Sequence, residues 1–188
     1  IFSKINYGHT AKSSYEKGSF KFLRITDIQE GEVNWESVPY CEVKENKLQN
    51  VLLHDGDIVF ARTGATTGKS YLLKNPNNAV FASYLIRLSV DKNKLLPKYV
   101  YHYFQSRNYW EQISKGISGA AQGGFNASKL GGLQIPIIGM KEQTEITLKL
   151  DKIFYETFSL MRLYQNKIKL LKSLKSSVLL KELNNKAA

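Results

Sequence analysis

A single cysteine, Cys41, stands in 188 residues, which excludes an internal disulfide framework and any cluster of thiolate metal ligands. No apolar run approaches the roughly 18 residues that mark a membrane-spanning helix. Three histidines, His9, His54 and His102, lie far apart, and none has a metal-ligating neighbour at helical or hairpin spacing. They read as surface or structural side chains, and no metal site is expected. Also missing are a paired-carboxylate motif with a basic partner, as a nuclease metal site needs, and a glycine-rich fingerprint for a methyl-transfer cofactor. Asp55 and Asp57 flank a turn glycine and are expected to hydrogen-bond locally. No catalytic constellation emerges.

Acidic residues are scarce as well. There are 16 of them against 27 Lys and Arg, a net charge of +11. The excess runs through both parts of the chain, with 17 basic against 11 acidic side chains before Met140 and 10 against 5 from there on. Between Thr157 and Lys181 six basic side chains meet no acidic one. Such a balance calls for a polyanionic partner, and nucleic acid is the first candidate. With 43% hydrophobic and 12% aromatic residues, the chain has the material for a core. Its length suits one compact domain of about 140 residues followed by a long helix. The missing disulfides and the basic surface fit an intracellular, cytoplasmic protein.

That helix occupies the last quarter. Ile146, Leu150, Ile153, Thr157, Leu160, Tyr164, Lys167, Leu171, Leu174 and Val178 step by alternating fours and threes, uninterrupted by Pro or Gly. The period is that of a coiled-coil seam. Phe154, Phe158, Met161, Ile168, Leu170 and Leu179 widen the apolar face. A rod of about 60 Å is more than the remaining chain can cover, so the seam is expected to lie against a second helix.

Upstream, residues 1–18 (with Lys4, Tyr7, His9, Lys12, Ser14, Tyr15 and Lys17) read as a polar, basic loop suited to phosphate and base-edge contacts. Residues 20–25 read as a strand carrying Lys21 and Arg24, and 33–43 as an extended segment. Leu48 and residues 51–53 lead into a turn at 54–57, and 58–61 form a buried strand. Residues 62–70 then tempt a phosphate-loop reading, but Gly64 stands one place late and a strand follows where a helix is required. The better reading is a tight hairpin that lets backbone approach a ligand between Arg62 and Lys69, with Thr63, Thr66 and Thr67 on the loop. Residues 79–90 read as one strand, with Ser83, Tyr84 and Arg87 exposed. A helix opens at Pro97 and runs to about Ile113 with a core-packing aromatic face. The glycine-rich loop 115–126 carries Gln122 and Asn126, side-chain types that read adenine bidentately, and leads on to Lys129. Residues 130–138 read as a last strand.

Several of these segments, in this order, resemble the specificity subunit of Type I restriction-modification systems. They are Phe22-Leu23-Arg24-Ile25-Thr26-Asp27-Ile28, the run from Leu53 through Gly56-Asp57-Ile58 and Gly64-Ala65-Thr66-Thr67-Gly68-Lys69, residues 79–85, Gln122 to Leu130, and Ile135-Pro136-Ile137 through Glu142-Gln143 to Ile146. One departure is Ile137-Ile138-Gly139-Met140, where a proline-rich patch is often found. The resemblance implies an α+β fold: a mixed, β-rich target-recognition domain over residues 1–139, then a conserved helix over 140–184 that pairs in an antiparallel coiled coil, and a tail at 185–188. It implies half of a subunit, either a single-repeat protein that dimerises or a fragment of a longer one. It also implies no catalysis and no cofactor of its own. The partners would be double-stranded DNA, methyltransferase and restriction subunits, and a second copy or half-subunit held through Ile146, Leu150, Ile153, Leu160, Tyr164, Leu171, Leu174 and Val178. Expected DNA contacts are Arg62, Thr63, Thr66, Thr67, Lys69, Lys12, Ser14 and Tyr15, then Lys21, Arg24, Ser83, Gln122, Asn126 and Lys129. Two other classes compete: a small nucleotide-binding or nucleolytic enzyme using residues 64–70, and a coiled-coil interaction module.

Overall fold

The computed structural model describes residues 2–29, 31–118 and 124–185. It divides into two compact units, Ile1–Thr144 and Glu145–Ala188, and combines mixed sheets with a long helix in an α+β fold.

In the first unit, unbroken hydrophobic runs set the main sheet. Strands β6 (Ile58–Ala61) and β9 (Leu85–Val90) are buried at nearly every position, which places them at a sheet centre covered on both faces. With β1 (Phe2–Tyr7) and β7 (Ser70–Leu72) they give the order β1-β9-β6-β7, every neighbour antiparallel. The expected loop over residues 1–18 is thus corrected for its first part. Residues 2–7 add an edge strand whose half-buried Phe2 and Ile5 suffice because only one face meets the core.

A second sheet is built on β2 (Phe20–Leu23). It pairs antiparallel with β5 (Tyr40–Cys41) and parallel with β8 (Ala79–Phe81). Strands β3 (Ile28–Gln29) and β4 (Glu32–Val33) make a small hairpin. Residues 79–90 are therefore two strands in different sheets. The chain turns at 82–84, where Leu85 N–H donates to Ala82 O at 2.9 Å. Between the sheets, Phe22, Leu23, Val59, Leu73, Val80, Phe81 and Leu85 form a core, each such side chain contributing roughly 1.5–3 kcal/mol on burial.

Arg87 is the clearest correction. Expected at the surface, it is 2% exposed on β9. Its guanidinium donates to Leu52 O and to Asn6 Oδ1 and lies 3.8 Å from the Asp57 carboxylate. Burial lowers its pKa, and Asp57 works in the opposite direction. Asp57 in turn accepts from the His54 N–H at 3.0 Å and the Ser89 hydroxyl at 2.6 Å. Asp55 accepts from Asn75 N–H, so both aspartates bond locally, as expected.

Helix α1 (Glu45–Val51) forms in a stretch whose pattern marks only a lead-in to the 54–57 turn, and the 33–43 segment is extended only at β4 and β5. The single helix expected from Pro97 is two, α2 (Pro97–Tyr103) and α3 (Arg107–Ser118). Ser106 starts the second by accepting from Tyr109 N–H at 3.3 Å. Their aromatic face is core, as expected: Tyr99, Phe104 and Tyr109 are buried, and the Phe104 and Tyr109 rings stack at 4.5 Å.

The expected last strand over 130–138 is absent. Helix α4 (Ala127–Gly131) comes first, and the chain then runs on without a ladder. Side chains supply the missing partners: Gln134 N–H donates to Gln112 Oε1, and Gln134 O accepts from the Tyr103 hydroxyl, both at 2.8 Å.

Helix α5 (Met140–Asn185) runs for 46 residues, about 70 Å at 1.5 Å per residue. Its first turn is fixed by buried Gln143, which accepts from Leu96 N–H at 2.8 Å and donates to Lys94 O and Ile138 O. Along the seam Ile146 and Leu150 are half-buried. Ile153, Leu160, Tyr164, Leu171, Leu174 and Val178 are each between 51% and 60% exposed. No helix among the described residues is long and apolar enough to cross a membrane.

Candidate nucleic-acid interface

The β6–β7 connection is the tight hairpin that its glycines suggest. After Ala61 the chain makes one 3-10 turn over Gly64–Thr66 and returns into β7. Ala61 N–H donates to Lys69 O, and Gly68 N–H back to Ala61 O. Gly64 holds φ +73° at the tip, with nothing within 4 Å of where a Cβ would stand. Gly68 holds φ +95°, and a Cβ there would lie 2.7 Å from the Trp110 ring. One glycine thus leaves the tip open, and the other seats the hairpin on α3.

This geometry does not make a phosphate cradle. The N–H groups of Thr67, Gly68 and Lys69 donate inward, to Gly64 O, Ala61 O and Thr66 O. Ser70 enters a strand rather than a helix. Among the described residues, no group of three His, Cys, Asp or Glu could hold a metal ion.

Arg62 is the hub of the surface beside the hairpin. Its guanidinium lies over the Tyr7 ring at 4.8 Å and reaches Ser83 O at 3.5 Å. Its backbone donates to Tyr84 O and accepts from Phe125 N–H, and the Tyr7 hydroxyl accepts from Ala127 N–H at 3.0 Å. The buried Arg62 Nε finds no acceptor among the described residues. Tyr84 projects from the 82–84 turn, 65% exposed. From sequence, Tyr7 is only one of several side chains in a segment suited to phosphate and base-edge contacts, and Tyr84 only an exposed residue. The signal for both was an exposed aromatic in a basic setting, but only the strand pairing brings Tyr7, Arg62 and Tyr84 together.

The other expected contacts divide by how much of each side chain is free. Lys69 and Lys12 are exposed, and Thr63 and Thr66 are half-buried on the loop, Thr66 Oγ1 donating weakly to Thr63 O at 3.4 Å. Thr67 is buried and its hydroxyl donates to Gly64 O at 2.8 Å, so it holds the hairpin rather than presenting itself. Lys129 Nζ donates to Gly116 O, and Asn126 Oδ1 caps α4 by accepting from Lys129 N–H. Gln122 lies outside the described residues.

Nearer the N-terminus, Lys21 donates to Val38 O at 2.9 Å and sits 4.0 Å over the Tyr40 ring. Arg24 pairs with Asp27 through two nitrogens, the closer contact at 2.7 Å, and this bonding raises its pKa. It also donates to the hydroxyl of Tyr15, which is 69% exposed. Ser14 Oγ accepts from the N–H groups of Glu16 and Lys17.

Comparison with known proteins adds an independent finding. The family model described as "Type I restriction modification DNA specificity domain" matches residues 2–184. The Type I restriction enzyme EcoKI specificity subunit of Escherichia coli (strain K12) is 26% identical over 189 residues, which cover 96% of this chain and 40% of that protein. In fold, the chain is similar to one from a type I R-M system solved for its complex assembly and conformational transition. The TM-score is 0.71 at 18% identity, over 90% of this chain and 40% of the other. It is also similar to the HsdS subunit from Thermoanaerobacter tengcongensis, with TM-score 0.64 at 17% identity over 85% and 37% of the two chains. The chain thus spans about 40% of the length of the relatives it matches.

Proposed function

The chain belongs to the Type I restriction modification DNA specificity family, and on that premise we propose that it is a sequence-specific DNA-recognition subunit, or half of one, that directs methyltransferase and restriction subunits to a bipartite site. Residues 1–139 are the target-recognition domain, 140–184 the pairing helix and 185–188 a tail. It acts in the cytoplasm, catalyses nothing and needs no cofactor, because its task is to choose the site at which other subunits work.

The observation that carries this reading is the surface around Arg62. A cation held over an aromatic ring, an exposed lysine at the hairpin end and an exposed tyrosine on the adjoining turn stand together. Cationic side chains supply phosphate affinity, and polar and aromatic ones meet base edges. Thr63, Thr66, Ser83, Lys12, Ser14 and Tyr15 are further contacts in this reading, whereas Lys21, Arg24, Asn126 and Lys129 are engaged in intramolecular bonds and take a secondary part. The exposed seam of α5 supports pairing with a second copy or half-subunit. A two-fold pair would then read an inverted repeat across an unread spacer.

The direct test is binding of a labelled mixed-sequence duplex by the wild-type chain and by Arg62→Ala and Lys69→Ala over a range of salt. Each substitution is expected to weaken binding and to lower the slope of log affinity against log salt by about 0.9. An unchanged slope for both variants contradicts the hairpin assignment.

A further inference from the structure

Beyond Tyr7 the chain passes along the open ends of β8 and β5. His9 N–H donates to Phe81 O, Ser14 N–H donates to Tyr40 O, and Tyr40 N–H donates back to Ser14 O. Residues 9–17 thereby form one wall of a cleft of about 850 Å³, and residues 41–47, leading into α1, form the other. Four lysines line it: Lys12 and Lys17 from the first wall, Lys44 and Lys47 from the second. No carboxylate or carbonyl among the described residues pairs with any of the four ammonium groups. The one acid in the lining, Glu42, accepts the Ser19 hydroxyl at 2.9 Å and is ion-paired with none of the four lysines, so it offsets one of their four charges. Ser14 Oγ accepts two backbone N–H groups at 3.2 Å, so its own proton is left to donate outward. Cys41 at the floor is buried, and burial pushes its thiol up to about 11; the floor adds no anion.

The neighbouring cleft is a useful contrast. It encloses about 540 Å³ between Tyr15, Arg24, Asp27 and Glu32, and there Asp27 takes up the charge of Arg24 at 2.7 Å. The lysine cleft forms no such ion pair among the described residues, and four lysines against Glu42 leave its lining with a net charge of +3 (4 − 1). It is also tied to the hairpin. His9 O accepts from Ser83 N–H, and in the same turn Tyr84 O accepts from Arg62 N–H, so the cleft mouth and Arg62 are held by one short turn.

We infer that the cleft lined by Lys12, Lys17, Lys44 and Lys47 holds the sugar-phosphate backbone of duplex DNA and adds affinity without reading bases. This rests on the DNA-recognition reading above and extends it to residues 17, 44 and 47. The chemistry is that of ammonium point charges, which accept a phosphodiester from many directions, rather than of guanidinium forks that fix one geometry. Phosphate contacts position a protein on the duplex and carry no sequence information directly.

The test uses the full chain, a labelled duplex of mixed sequence and anisotropy titrations between 50 and 200 mM salt, compared with Lys44→Gln/Lys47→Gln. Both positions are solvent-exposed, and glutamine keeps the helix propensity of α1. A charge-matched control, Lys74→Gln/Lys92→Gln, changes two exposed lysines outside the cleft. The cleft double variant is expected to lose about 1.8 from the salt slope, near 0.9 for each contact, and to bind the duplex tens of fold more weakly near 0.1 M salt. Its preferred sequence, found by selection from a randomised duplex pool, stays that of the wild type. If the wild type selects a sequence and the variant keeps the full slope, or loses no more of it than the control, the cleft assignment is overturned while the recognition reading stands. If slope and affinity fall as expected but the wild type selects no sequence, the cleft is upheld and the recognition reading fails. A changed preference in the cleft variant overturns the claim that these lysines read no bases.

Discussion

Arg87 shows how one side chain can carry the framework beneath a candidate interface. It sits on the central strand β9, bonded to Leu52 O and Asn6 and close to Asp57. Asp57 opens β6, the strand that delivers the hairpin. Replacing Arg87 by Met should cost roughly 3–5 kcal/mol, because the Asp57 carboxylate is left buried without its cation. Urea denaturation followed by far-UV circular dichroism measures this, and a loss below 1 kcal/mol would mean that solvent reaches Asp57 freely. The role of Arg87 was not legible in the sequence. An arginine between Ile86 and Leu88 reads as the exposed side of an alternating strand. Its partners lie 30 and 81 positions away, and only the fold joins them. Arg62 and Lys69, flanking a glycine-bearing loop, stand out as candidates in the sequence, while only the strand register brings Tyr7 and Tyr84 beside Arg62.

At the scale of elements, the hairpin and the long helix were legible because each has a local cause. Turn glycines flanked by apolar strands force the first, and a sustained three-four spacing forces the second. The two glycines of the hairpin should separate in experiment. Gly64→Ala meets only backbone strain at φ +73°, a cost of about 1–2 kcal/mol. Gly68→Ala adds a clash with the Trp110 ring at 2.7 Å and should cost clearly more. Thermal melts of the two variants check the order, and equal melting temperatures would mean that α3 yields to the added methyl. Elements with non-local causes were misread. Strand β1 has a polar edge sequence that only pairing with β9 makes a strand. The segment 130–138 alternates its apolar side chains like a strand, yet its backbone bonds are taken by Gln112 and Tyr103. Helix α4, five residues long, is started by the Asn126 cap, a signal too short to outweigh that alternation.

For the whole molecule, the basic charge, the hairpin proposed to face DNA and the exposed seam of α5 form one account, in which the first unit is proposed to recognise and the second to assemble. The seam predicts a dimer of roughly twice 21.4 kDa by light scattering in moderately high salt. Leu160→Glu/Leu171→Glu, on exposed seam positions, should return it to a monomer without unfolding the first unit. A wild-type monomer would assign the partner helix to another chain. The central claim, that this chain reads DNA sequence, is tested most directly by selection. The wild-type protein is incubated with a randomised duplex pool at physiological salt, and the bound fraction is sequenced over several rounds. The account predicts enrichment of one defined motif, which the wild type then binds well above a shuffled duplex of equal length and composition. A bound pool that stays random while binding remains strongly salt-dependent would contradict it, and would leave a basic protein that holds DNA without reading it.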